Sequence, residues 1–171
     1  MNHNSINAIK STITYDLNIF KGSFSKKGKI LGIDTGKRYL GLSLSDINKR
    51  IALAHKTIIR KKYIEDIEKL KSSVEKNNVV SIVIGLPLNK DGTKGPRSQS
   101  AITFAVNIEK YFKLPIYFCD ERFSSIGIQR EMLKNGIKKK NIKKSLDESS
   151  ATWILQSALD AANNLEESNE K

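Results

Sequence analysis

Four carboxylates stand where an apolar run ends or a helix is expected to begin. Asp34 follows the run 30–33, Asp120 and Glu121 follow the run 116–119, and Asp147 falls in the first turn of a helix expected from Ser145. Oxygen ligands of this kind hold hard divalent cations such as Mg2+, usually one or two carboxylates with water and a substrate phosphate. Two such ions about 4 Å apart stabilise both the attacking and the leaving oxygen of an in-line phosphodiester hydrolysis. No Cys/His cluster competes as a zinc site, because the chain has one cysteine, Cys119, and two histidines. Each acid also admits a simpler part. Asp34 can form a turn by bonding its own backbone, and Asp120 can cap a following helix. Glu121 can pair with Arg122 at the surface, and Asp147 suits a helix N-terminus. Brought to one edge of a sheet, the four read instead as a metal site.

The elements that must bring them together follow from periodicity. Residues 30–46, ILGIDTGKRYLGLSLSD, predict a hairpin. Its first strand is short and apolar, the turn 35–38 follows, and Leu40, Leu42 and Leu44 then alternate with Gly41, Ser43 and Ser45. Residues 51–59 predict a third strand in an antiparallel meander. His55 in that strand has no neighbouring His or Cys and reads as structural. Ile64, Ile67, Leu70 and Val74 predict a helix over 62–76. VVSIVIG, residues 79–85, predicts a buried central strand. A Gly/Pro loop over 90–98 leads into a helix over 98–112, and a fifth strand covers 116–119. A third helix over 124–134 is expected to stop near Gly136. A lysine-rich segment, 137–144, precedes the last helix, whose Ser145 and Glu148 have capping-box spacing.

A meander followed by right-handed crossovers gives an α/β, ribonuclease H-like fold: a mixed five-stranded sheet, three strands antiparallel and the rest parallel, with helices on both faces. The strand ends bearing Asp34 and Asp120-Glu121 then share an edge. Residues 29–163 are read as the domain, 1–28 as a polar extension and 164–171 as a disordered tail. With 171 residues, 39% hydrophobic and 28% charged, the chain suits one soluble domain. It shows no apolar run long enough to cross a bilayer and no convincing signal peptide. With a single cysteine, this points to the cytoplasm. The net charge of +12 favours a polyanionic partner, nucleic acid ahead of a membrane surface. Part of that charge reflects a composition rich in Lys, Ile and Asn together.

Four stretches carry a family resemblance: GIDTGKRYLGLSLSD, VIGLPLNKDGTKGPRS, DERFSS and LDESSATWILQSALD. Over residues 29–159 the chain resembles the YqgF/RuvX family, described as Holliday junction resolvases and as nucleases that process the 5′ end of precursor 16S ribosomal RNA. The stretch from Gly85 to Ser98 is its most specific part. The resemblance implies that Asp34, Glu121 and Asp147 are metal-binding and catalytic acids, with Mg2+ or Mn2+ as cofactor and two ions expected. Asp120 and Arg122 complete its DER motif.

Around these acids, Lys37 and Arg38 can meet phosphate, and so can Arg97 as a bidentate partner with Asn89 in the same loop. Lys138, Lys139 and Lys140 can add salt-dependent affinity that ignores sequence. Each can equally be a solvated surface or loop residue. The expected function is a metal-dependent endonuclease acting on structured nucleic acid, first the 5′ end of pre-16S rRNA and alternatively a Holliday junction. A nucleic-acid-binding factor without catalysis and an ATPase of the actin and sugar-kinase superfamily are the rivals. The chain is expected to act as a monomer or homodimer.

Overall fold

The computed structural model describes residues 11–121 and 139–169, with side chains for 11–121 and 150–165. The elements in chain order are β1 (Ile13–Thr14), α1 (Leu17–Lys21), β2 (Lys29–Thr35), β3 (Tyr39–Ser45), β4 (Ala52–Ile59), α2 (Tyr63–Lys76), β5 (Val79–Leu86), α3 (Pro96–Phe112), β6 (Ile116–Asp120) and α4 (Lys139–Asn169). The expected helix over 124–134 and its cap at Gly136 lie outside the described residues, as do Arg122 and Lys138.

The mixed sheet runs β1-β6-β5-β2-β3-β4. β2, β3 and β4 form the antiparallel meander, and β2, β5 and β6 run parallel. Among the described residues the sheet therefore has six strands rather than the five expected. The sixth is β1, whose Ile13 and Thr14 pair in parallel with Ile116 and Tyr117. Glu109 holds it in place by accepting from Ser11 Oγ and Thr12 Oγ1 at 3.0 and 2.9 Å. α1 follows, capped by the Asp16 carboxylate, which accepts from Asn18 N at 2.8 Å. α1 buries Phe20 against Tyr117, with ring centroids 4.7 Å apart.

Period two sorts each strand onto two faces. Leu31 and Ile33 of β2 and Ile82 and Ile84 of β5 pack in one cluster with Ile67 and Leu70 of α2 and Phe104 and Ile108 of α3. Ile30, Val83 and Cys119 fall on the other face, in a second cluster with Phe20 and with Ile154, Leu155, Leu159 and Ala162 of α4. Leu155 and Leu159 are fully buried, and each such side chain is worth about 1.5–3 kcal/mol. β2 is central and covered on both faces, as its apolar sequence requires.

α4 departs from expectation at both ends. Residues 139–169 are helical, so Ser145 lies inside the helix and does not cap it, and Lys139 and Lys140 are helical rather than a loop. The reason is plain in hindsight: residues 139–145 contain no Gly or Pro, and lysine is a good helix former. At the other end the helix continues to Asn169. Among the described residues no helix is long and apolar enough to cross a membrane.

Candidate active site

The C-terminal ends of the parallel strands β2, β5 and β6 meet at one edge, under α4. In β2 the residues facing α4 are Ile30 and, two and four positions on, Gly32 and Asp34. In β6 they are Tyr117 and Cys119, and the same alternation carries on to Glu121 just past the strand end. Asp120 falls on the opposite parity.

Two glycines let the helix lie close. A methyl on Gly32 would meet Ser43 Oγ, Leu155 Cβ at 2.7 Å and the Ala151 carbonyl at 3.1 Å. A methyl on Gly85 would meet Glu121 Oε1, and Ile154 Cδ1 at 2.6 Å. The carboxylate of Glu121 therefore rests over the bare backbone of β5. Polar stitches fix the helix further: Ser43 Oγ donates to the Ala151 carbonyl at 2.8 Å, and Gln156 accepts from Ala52 N at 2.8 Å. This docking brings Ser150 to the end of β2, where its Oγ donates to Oδ2 of Asp34.

Asp34 and Glu121 are both partly buried. Burial pushes the Glu121 carboxyl up to about 7, repulsion from Asp34 adds to the rise, Arg97 opposes it and Asp120 adds a little more. The structure thus brings Asp34, Glu121, Asp120 and Arg97 into one electrostatic neighbourhood. Asp147 belongs to α4, three residues before Ser150, and its side chain lies outside the described residues. Among the described residues no group of three or more His, Cys, Asp or Glu gathers into a cation cage. Two hard oxygen donors held close enough to repel, partly out of water, nonetheless fit a divalent cation, which would neutralise both.

The other sequence candidates are spread around this edge. Lys37 and Arg38 are exposed in the turn after Asp34. That turn is tied back by Arg60, whose Nη1 donates to the Gly36 carbonyl at 3.0 Å and whose Nε lies 3.6 Å from Asp66 Oδ2. Arg97 is exposed in the first turn of α3, after Pro96 at its start. Asn89 closes its own loop: its Nδ2 donates to Thr93 Oγ1 and its N to the Thr93 carbonyl, both at 2.9 Å. Lys139 and Lys140 occupy the start of α4.

Sequence reasoning missed Ser150, whose signal was its place three residues after Asp147 on a helix face. It also missed the extent of the cleft at Asp34. The cleft measures about 630 Å³ and runs from Asp34 and Ser150 across Gly41 to His55 and Thr57 of β4.

The sequence profile described as "RuvX: Holliday junction resolvase" matches residues 28–161. The chain belongs to the RuvX family. Two relatives, from Rhodopseudomonas palustris strain HaA2 and Rhodobacter capsulatus, carry the name "Putative pre-16S rRNA nuclease". The first is 38% identical over 139 residues, 81% of this chain and 87% of the relative. The second is 38% identical over 141 residues, 82% of this chain and 89% of the relative. Thermus thermophilus RuvC, solved in complex with a Holliday junction substrate, superposes with a TM-score of 0.50 at 13% identity, covering 78% of this chain and 94% of that one. At that identity the likeness speaks for a shared fold, the ribonuclease H-like one expected from the order of strands and helices.

Proposed function

We propose that this RuvX-family protein is a divalent-metal-dependent endonuclease that processes the 5′ end of pre-16S rRNA. The observation that carries the reading is the pair Asp34 and Glu121, two mutually repelling carboxylates at one sheet edge, with Asp34 tethered by Ser150. The name shared by the relatives supports the choice of RNA. The family match favours phosphodiester hydrolysis over the ATPase reading. A cytoplasmic location follows from the proposed substrate.

In this mechanism Asp34, Glu121 and Asp147 would hold Mg2+ or Mn2+, as one ion or two. When bound, the metal would supply positive charge to the reacting phosphate and lower the pKa of the attacking water. Ser150 donates to one oxygen of Asp34, which would orient the carboxylate toward a cation. Arg97, beside Glu121, takes a non-bridging phosphate oxygen through its forked N–H groups. Lys37, Arg38, Arg122, Lys138, Lys139 and Lys140 hold the flanking backbone, and Asn89 keeps the Arg97 loop in shape. α4 and the floor of the cleft keep bulk water from the buried side of the carboxylates.

A second reading, cleavage of a four-way DNA junction, is favoured by the family's description. It requires two copies of the site related by a two-fold axis, hence a homodimer, where the RNA reading is content with a monomer. The test is cleavage of a precursor-rRNA mimic and a four-way junction with Mg2+ or Mn2+, beside Asp34→Asn. Cleavage of the RNA alone, lost in the mutant, is expected. Preference for the junction supports the second reading, and equal activity of mutant and wild type overturns both.

A further inference from the structure

The cleft that holds Asp34 continues well past the carboxylates. One wall is Ser150, Ala151 and Thr152 of α4, and the other is the stretch Ala54, His55, Lys56 and Thr57 of β4. β4 is the outermost strand on its side of the sheet, and residues 53–57 are all exposed. Its pairing with β3 is irregular. The adjacent residues Leu42 and Ser43 face Lys56 and Ala54, so His55 is an extra residue without a partner. Such a bulge bends the strand and re-aims the side chains around it.

The bulge changes what stands opposite Asp34. Asp34 pairs with Gly41, and Gly41 pairs with Thr57. The three form a row across the sheet, with Asp34 and Thr57 two strand spacings apart, about 10 Å. The middle position has no side chain, so the floor between them is open. At the mouth, Tyr39 is 50% exposed and paired with Ile59, which is 62% exposed. A ring and an aliphatic side chain left in water beside a candidate active site are a surface that a flat apolar ligand would cover.

We propose that this arm of the cleft is a subsite for one unpaired nucleotide next to the scissile phosphate, with Tyr39 and His55 taking the base and Thr57 its sugar-phosphate. The proposal rests on the nuclease reading above and names the strand geometry that reading leaves open. Three features support it. The cleft is continuous with Asp34 and Ser150, so a strand whose phosphate sits at the carboxylates runs straight into it. Its volume of about 630 Å³ suits a ligand the size of one or two nucleotides rather than a stacked duplex. Desolvation by its surroundings, with Lys56 and Lys29 nearby, holds the His55 imidazole below its ordinary pKa, which favours a neutral ring that stacks and accepts hydrogen bonds.

The test is binding of a fluorescently labelled ten-nucleotide single-stranded RNA, read by anisotropy in EDTA so that no cleavage intervenes. Wild type is compared with His55→Ala, Tyr39→Leu and Tyr39→Phe, each checked for an unchanged melting temperature. His55→Ala and Tyr39→Leu are each expected to weaken binding about tenfold, and Tyr39→Phe, which keeps the ring, by no more than about twofold. Wild-type affinity in both ring-removing variants overturns the subsite, as does absence of binding by the wild type. A separate cleavage assay of the wild type keeps the two ideas apart. Weakened binding without any cleavage retains the subsite and removes the nuclease reading. Cleavage with unchanged binding removes the subsite alone.

Discussion

Ser150 Oγ donates a hydrogen bond to Oδ2 of Asp34 across 116 residues of sequence. A helix hydroxyl thus sets the orientation of a strand carboxylate. Orienting bonds of this kind around a metal ligand are typically worth 10–100-fold in affinity. Ser150→Ala is expected to raise the Mg2+ concentration needed for half-maximal cleavage by about tenfold while leaving the melting temperature within a degree or two of wild type. A metal titration of both proteins measures it, and identical titration curves contradict the orienting role.

The carboxylates themselves make a sharper prediction. Asp34→Asn and Glu121→Gln keep the size of each side chain and remove its charge, so cleavage is expected to fall below detection in both. The metal-free melting temperature is expected to hold or rise, because each change relieves the repulsion between the pair. Unfolding of Asp34→Asn would return that residue to a structural part.

Glu121 also gives the fold a pH dependence. Its carboxyl is raised from an ordinary value of 4.5 to about 7, burial being the larger cause and Asp34 the next. A raised acid binds its proton more tightly when folded. Its contribution is therefore fully present below about 4.5 and is lost as pH climbs through about 7. The full shift corresponds to about 3 kcal/mol. In EDTA, the wild type should lose stability to urea between pH 5 and pH 8 relative to Glu121→Gln. Mg2+ should restore the wild type most at the upper end of that window. Parallel profiles for the two proteins would show that Glu121 does not carry the effect.

Two glycines can be set against each other. At Gly85 the added methyl meets only the far ends of the Glu121 and Ile154 side chains, which can swing away. At Gly32 it meets Leu155 Cβ and the Ala151 backbone, which cannot move without lifting α4. Gly32→Ala is expected to cost about 3 kcal/mol and Gly85→Ala about 1–2 kcal/mol. Gly85→Ala should lose cleavage out of proportion to its stability. Gly22→Ala, with open space around it, serves as the neutral control. Chemical denaturation of the three orders them.

What sequence could and could not supply divides along physical lines. The strands β2 to β6 and the helices α2 and α3 follow from apolar periodicity, and their ends agree with expectation within a residue or two. β1 escaped because two residues in a polar stretch carry no period; only the partner strand and Glu109 make them a strand. The start of α4 escaped because lysines are as much at home in a helix as in a loop. Asp34 and Glu121 were legible as acids at strand ends, and the parity of β6 separates Glu121 from Asp120. The bond from Ser150 and the bulge at His55 were not legible, since both depend on the register of one element against another, which no local pattern encodes.

The length of α4 has a consequence of its own. At 1.5 Å per residue, the helix rise places Lys139 about 12 Å along the axis from Asp147. The lysines at its start and the hydroxyl that grips Asp34 belong to one continuous rod. Such a rod works as a ruler: the backbone at 139–140 stands at a set distance from Asp34. One residue inserted between Lys140 and Asp147 would turn the basic end by about 100° and misalign the two without touching either.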